Sequence, residues 1–224
     1  MQIKGNIVEL RQILRAQFPH VRQTVEEPHA AQAQSTGIGL LDALSGGFPS
    51  GGVTELVGNG DGSGSAQIIS NLLEQIAGEG RFMALVDGAD SFDAGAMGPE
   101  ALARLLWVRC STAVDALKAS DLLLRDRNHS LVVLDLKLNP TKELRRISSS
   151  IWFRYRRLLE ENGVTFLVVT PFPLVSGVAC RIELKSEFGI LAASASRSEL
   201  LSQLKVSVTH WVSCKRAHFV AQTG

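Results

Sequence analysis

The sequence predicts an α/β fold: a mostly parallel, twisted sheet with helices on both faces. Three observations predict it. Short β-rich runs alternate with helical runs over most of the 224 residues, the pattern that βαβ crossovers produce. The β-rich runs, among them LVVLDL (131–136) and TFLVVT (165–170), are almost continuously apolar, as strands are when helices cover both faces. The first such run ends in a glycine-rich turn that opens directly into a helical pattern, GNGDGSGS (58–65).

In chain order, residues 3–17 place Ile3, Ile7, Leu10 and Leu14 on one side at helical spacing. A polar stretch rich in Gln, Ala, Glu and Pro follows to residue 34 and reads as a linker. Residues 1–34 are thus an N-terminal helix and linker, and 35–224 a core domain with a C-terminal tail. Within the core, strands are expected at 53–57, 82–86, 106–109, 131–136 and 165–170. Helices are expected at 65–77, 99–105, 113–125 and, as one long element, 141–160. Residues 179–184 and 204–212 alternate in the manner of antiparallel edge strands.

Composition narrows the function classes. Hydrophobic residues make up 45% of the chain and charged residues 20%, enough to bury a sizeable core. The formal net charge of +1 gives no strong non-specific pull toward nucleic acid. Cys110, Cys180 and Cys214 are far apart and form no CxxC pair, which argues against a zinc site or a disulfide framework. The N-terminus lacks a signal-peptide pattern, and no apolar run reaches the roughly 18 residues of a membrane span. A cytoplasmic protein is expected. His20, His29, His129, His210 and His218 are scattered without ligand spacing.

The glycine-rich turn lies beyond the carboxyl end of a strand, where ligands of open α/β sheets bind. Gly58, Gly60, Gly62 and Gly64 let backbone N–H groups turn toward an anion, and the following helix adds its dipole. A complete phosphate-binding loop has the form G-x-x-x-x-G-K-[ST], its lysine on the β- and γ-phosphates and its hydroxyl on magnesium. Here the loop holds no lysine. With Gly64 as the final glycine there is one extra spacer residue, and Ser65 stands where lysine belongs; with Gly62 as the anchor, Asp61 and Ser63 do not repair the loss. A lost charge-assisted contact costs binding roughly 1.5–3 kcal/mol. Two readings stay open: a strand-to-helix turn that binds nothing, and a weak nucleotide site. Asp135, closing the LVVLDL run, is a candidate magnesium-holding carboxylate, and Asp87, Asp90 and Asp93 are available after the FMALV run.

The segment STGIGLLDALSGGFPSGGVTELVG (35–58) resembles the entry to the RecA ATPase core. Ser35, Thr36, Gly37, Leu41, Asp42, Gly46, Gly47, Pro49 and Gly51 fit that family's pattern. The resemblance implies a RecA-like P-loop core with antiparallel C-terminal edge strands. It implies ATP and magnesium as ligands, held by the degenerate loop with Asp135 as the metal-side carboxylate. The departures fall on catalysis: Ser65 replaces the lysine, Ala89 stands at the catalytic glutamate with Asp90 beside it, and Pro171-Phe172 follows the strand where a γ-phosphate sensor is expected. The stretch RLLWVRCSTAVDALKASDLLLRDRNHSLVVLDL, followed by ELRRIS, resembles the ImuA-type proteins, RecA-like accessory subunits of a bacterial DNA-damage mutasome. That implies a role in damage-induced translesion synthesis. Its partners would be an ImuB-type Y-family polymerase homologue, an error-prone C-family DNA polymerase, and RecA itself.

The helical run 141–163 is basic. Leu144, Ile147, Ile151, Tyr155 and Leu158 are expected to face the sheet. Arg145, Arg146, Arg154, Arg156 and Arg157 are candidate DNA or partner contacts, with Phe153 exposed beside them. A solvated basic face is the plainer reading, since Glu143, Glu160 and Glu161 border it. Three functions follow: an adaptor without effective ATPase, a divergent ATPase using Asp90 as base, and a nucleic-acid-binding module.

Overall fold

The computed structural model describes residues 33–60, 62–189, 192 and 194–211. The expected N-terminal helix, its linker up to residue 32, Asp61 and the tail with Cys214, Lys215 and Arg216 lie outside the described residues.

The fold is α/β. Its elements are α1 (Gly39–Ser45), β1 (Val53–Gly58), α2 (Ser65–Gly78), β2 (Met83–Asp87), α3 (Pro99–Leu102), β3 (Leu105–Arg109), α4 (Ala113–Asp126), β4 (Leu131–Asp135), α5 (Thr141–Leu144), α6 (Ser149–Asn162), β5 (Thr165–Thr170), β6 (Cys180–Leu184), α7 (Arg197–Ser202) and β7 (Val206–Trp211). The strands form one seven-stranded sheet in the order β3-β2-β4-β5-β1-β6-β7. All pairings are parallel except β6 with β7, so β6 runs parallel to β1 and β7 closes the edge antiparallel.

Two cores follow from side-chain alternation along the strands. Leu56, Leu85, Val133, Leu167 and Ile182 point to the face covered by α2, where Ile68, Leu72, Leu73 and Ile76 are buried. Val86, Val132, Leu134, Phe166 and Val168 point to the other face, covered by α4 and α6. No helix among the described residues is long and apolar enough to cross a membrane.

The entry motif is an architectural staple. Asp42 in the first turn of α1 accepts from the Ser35 hydroxyl and from both the backbone N–H and the hydroxyl of Thr36, each at 2.8 Å. Asn71 of α2 then donates to the Thr36 carbonyl at 2.9 Å, tying α1 to the helix that follows the glycine loop.

One expectation is corrected. The long helix from Thr141 to residue 160 is two helices. After Leu144 the chain tightens into i→i−3 hydrogen bonds, Arg146 to Glu143 and Ile147 to Leu144, and Ser148 then caps a new helix with its side chain on the Ser150 N–H. A serine that accepts from the backbone favours a helix start over a helix interior. The break also rotates the buried stripe: Trp152, Tyr155 and Leu159 are buried, while Ile147, Ile151 and Leu158 are only partly so.

Candidate functional site

β1 ends near the middle of the sheet, between β5 and β6. From Gly58 the chain runs through the glycine turn into α2, whose N-cap is Gly64 in a left-handed conformation with no side-chain cap. Two of the glycines answer to packing as well as to backbone conformation. Gly62 has φ +70, accepts the Phe188 N–H at 2.9 Å, and has Phe188 backbone where a Cβ would project. Gly64 has φ +92, and a Cβ there would lie 2.5 Å from Leu204 Cδ2 and 3.2 Å from the Phe188 ring. The segment after β6 therefore lies against the loop and shapes its outer wall.

The loop is not without a cation. Lys137, two residues beyond the end of β4, places Nζ 2.8 Å from Ser63 Oγ and 3.3 Å from Ser65 Oγ. Both serines are buried. The stem of Lys137 is set by its own backbone N–H, which donates to Asp135 Oδ1 at 2.9 Å. An ammonium thus reaches the first residue of α2 from a strand two places away in the sheet. The sequence reading missed it. Its one signal is position: a lysine two residues past the aspartate that closes an apolar strand lies at the carboxyl end of the sheet, where ligands of open α/β sheets bind.

Asp135 is half-buried at the carboxyl end of β4, in register with Asp87 of β2. Burial pushes its carboxyl up to about 6; the Lys137 N–H opposes this, the Asp87 carboxylate adds to it, and the Lys137 ammonium opposes it. A carboxyl raised by burial at a strand end is the kind of perturbed group that ligand sites collect.

The other candidates stand apart. Asp87 is buried and accepts from the Ser91 and Phe92 N–H groups at 2.8 Å and from Trp107 Nε1 at 3.3 Å, so it shapes the turn after β2. Asp93 caps the short turn at Ala94–Ala96. Asp90, at φ +55, forms a bidentate pair with Arg109 at the end of β3, at 2.5 and 2.6 Å. The Arg109 guanidinium holds its carboxyl below the usual carboxylate range and itself rests 5.0 Å over the Trp107 ring. That pairing turns Asp90 toward the outer edge of the sheet, whereas β1 lies on the opposite side of β2.

The strand end expected to carry a γ-phosphate sensor is tied inward. Glu55, fully buried in β1, accepts from Thr170 Oγ1 at 3.0 Å, from the Leu174 and Val175 N–H groups at 2.7 and 3.0 Å, and from Arg181 Nε at 2.6 Å. Beside this anchored turn, the Phe172 ring lies 5.3 Å from the Arg145 guanidinium.

In a complete loop the magnesium-ligating hydroxyl directly follows the lysine; here the residue after Ser65 is Ala66, which offers none. No group of three or more His, Cys, Asp or Glu side chains able to hold a metal occurs among the described residues.

The helix break separates Arg145 and Arg146 from the arginines of α6. Those arginines pair with carboxylates: Arg154 with Asp121 of α4 at 3.0 Å, Arg156 with Glu160 at 3.4 Å and Arg157 with Glu161 at 3.5 Å. Phe153 is exposed, with the Arg156 guanidinium 5.5 Å from its ring. The face is mixed in charge rather than a basic stripe.

Against known proteins, no family model matches the chain and no curated protein matches it.

Proposed function

We propose that this chain is a RecA-like accessory subunit of damage-induced translesion DNA synthesis. It acts through protein contacts and keeps a nucleotide site that does not turn over. The reading of the pathway rests on the ImuA-type sequence pattern. It names an ImuB-type Y-family polymerase homologue and an error-prone C-family polymerase as partners, with RecA as a further one.

One observation supports the loss of turnover. Hydrolysis needs a group that positions the attacking water and donors that stabilise charge on the transferring phosphoryl. The nearest carboxylate to the expected base position, Asp90, is engaged by Arg109 at the far edge of the sheet, while the turn after β5 is bound to Glu55. Among the described residues, Asp90 and the turn after β5 are thus engaged elsewhere than at the loop.

The test is phosphate release from ATP by the purified chain, alone and with an ImuB-type partner, alongside co-purification of the two. Stable association with no turnover is expected. Turnover abolished by Asp135→Ala would replace this reading with that of a divergent ATPase.

A further inference from the structure

We infer that the chain pairs with a second copy of itself through β3, edge to edge and antiparallel, so that two seven-stranded sheets join across a twofold axis. β3 is the last strand on its side of the sheet, at the opposite edge from β7.

The pairing of β3 with β2 fixes which of its backbone groups are used. The Met83 N–H donates to the Arg104 carbonyl at 3.0 Å, and the Cys110 N–H to the Asp87 carbonyl at 2.8 Å. With Met83 opposite Leu105 and Asp87 opposite Arg109, the even-numbered residues of this run bond to β2. The N–H and C=O groups of Leu105, Trp107 and Arg109 therefore point outward, and no described strand pairs with them. Native edges are kept from such pairing by proline, lysine, bulges or a covering element. LLWVR holds neither proline nor lysine, and its register with β2 is unbroken. Apolar surface lies along the same edge: Leu106 is 43% exposed, and Phe82, just before β2, 47%.

The edge is complementary to itself. In an antiparallel pair centred on Trp107, the outward groups of Trp107 meet those of the second copy's Trp107, and those of Leu105 meet those of Arg109. Every outward donor then faces an acceptor. The side chains agree with this register. Leu106 and Val108 share the face of Ala84 and Val86, their partners in β2, and meet one another across the axis as an apolar pair. On the other face Arg109 meets the second copy's Leu105, so the two arginines are not opposed, and each keeps its own Asp90 at 2.5 and 2.6 Å. Like charges facing across paired strands destabilise them, and none face here. A patch that is its own complement about a twofold axis is the commonest homo-oligomer contact. Joining β3 to β7 of another copy fits less well, because the pairing of β7 with β6 shifts register between Arg181 and Ile182, and such irregularities turn an edge away from further pairing.

The experiment is sedimentation equilibrium of the full chain from about 1 to 300 µM, with amide exchange read residue by residue by NMR at both ends of that range. Wild type is expected to pass from monomer to dimer and to stop there. Exchange at Leu105, Trp107 and Arg109 should slow by about tenfold or more at the high concentration, while Leu106 and Val108, bonded to β2, are slow at both. Leu106→Lys places a lysine on the edge of each copy, hence twice per contact, and should raise the dimer dissociation constant about a hundredfold. Arg109→Pro removes an outward N–H, leaves the ladder to β2 intact, and should act in the same direction. Thermal melts establish that each variant is folded, and either folded variant suffices for the comparison. A wild type that stays monomeric overturns the inference. So does a dimer in which these three amides exchange as fast as in the monomer, or one that both variants leave unchanged, since the contact then lies elsewhere. Growth beyond the dimer means head-to-tail joining, and protection gained only on adding an ImuB-type partner gives the edge to a foreign strand. Both results overturn the self-pairing.

Discussion

Lys137 and Ser63 meet across the carboxyl edge of the sheet, 74 residues apart in sequence, with Nζ 2.8 Å from Oγ. Ser63 is fully buried, so its hydroxyl has no solvent to fall back on. Removing it leaves the ammonium with a weaker set of partners inside the loop. Ser63→Ala is expected to cost about 1–2 kcal/mol of stability, read by urea denaturation without ligand. An unchanged midpoint would mean that the contact contributes nothing to the resting fold.

Asp135 gives a pH-dependent prediction. Its carboxyl is pushed up to about 6 in the fold, chiefly by burial, so the fold disfavours its charged form. As pH rises from about 4 to 6, the unfolded chain loses this proton first. The folded state therefore loses stability across that window and stays lower above it. The loss approaches about 3 kcal/mol. Asp135→Asn keeps an oxygen for the Lys137 N–H and removes the charge. It should raise the melting temperature at pH 7.5 and leave it little changed near pH 4. Equal shifts at both pH values would assign the effect to packing instead.

The fold was legible because its signals are local. Each apolar run bounded by a turn became a strand, and the Ser35–Asp42 entry pattern became hydrogen bonds spanning six or seven residues. The site was legible only in part, because its decisive contacts are long-range. Lys137 reaches Ser63 and Ser65 through the topology of the sheet, and no periodicity records that. Glu55 was hidden within a strand whose partner Arg181 lies 126 residues away. The break before α6 was missed because Leu144, Ile147, Ile151, Tyr155 and Leu158 keep helical spacing across it, while the serine cap that interrupts them reads as a polar patch.

The arginines of α6 lead to an ionic prediction. Arg154, Arg156 and Arg157 each face a carboxylate, which cancels much of the field a phosphate backbone would meet. Replacing Arg156 and Arg157 together with alanine should leave the salt dependence of any DNA retention unchanged, measured as the slope of log affinity against log salt. Each true phosphate contact contributes nearly one unit to that slope. A fall of about two units would restore the helix as a nucleic-acid surface.

Glu55 and Arg181 support the last prediction. Their 2.6 Å pair joins β1 to β6 and, through Leu174 and Val175, fixes the turn after β5. Glu55 is fully buried, and Arg181 Nη2 donates also to the Val175 carbonyl at 2.7 Å. Removing one partner strands the other's charge or donors in the interior, at about 3–5 kcal/mol. Arg181→Met should therefore be strongly destabilising, and Glu55→Gln less so, since the amide still offers an acceptor to the turn. The double variant Glu55→Gln/Arg181→Met should be more stable than the sum of the single effects predicts, because neither orphaned charge remains. Denaturation of all four proteins closes the cycle. Strict additivity would show that the two residues stabilise the turn independently. A positive coupling would identify the pair as the clamp that holds this turn closed beside the glycine loop.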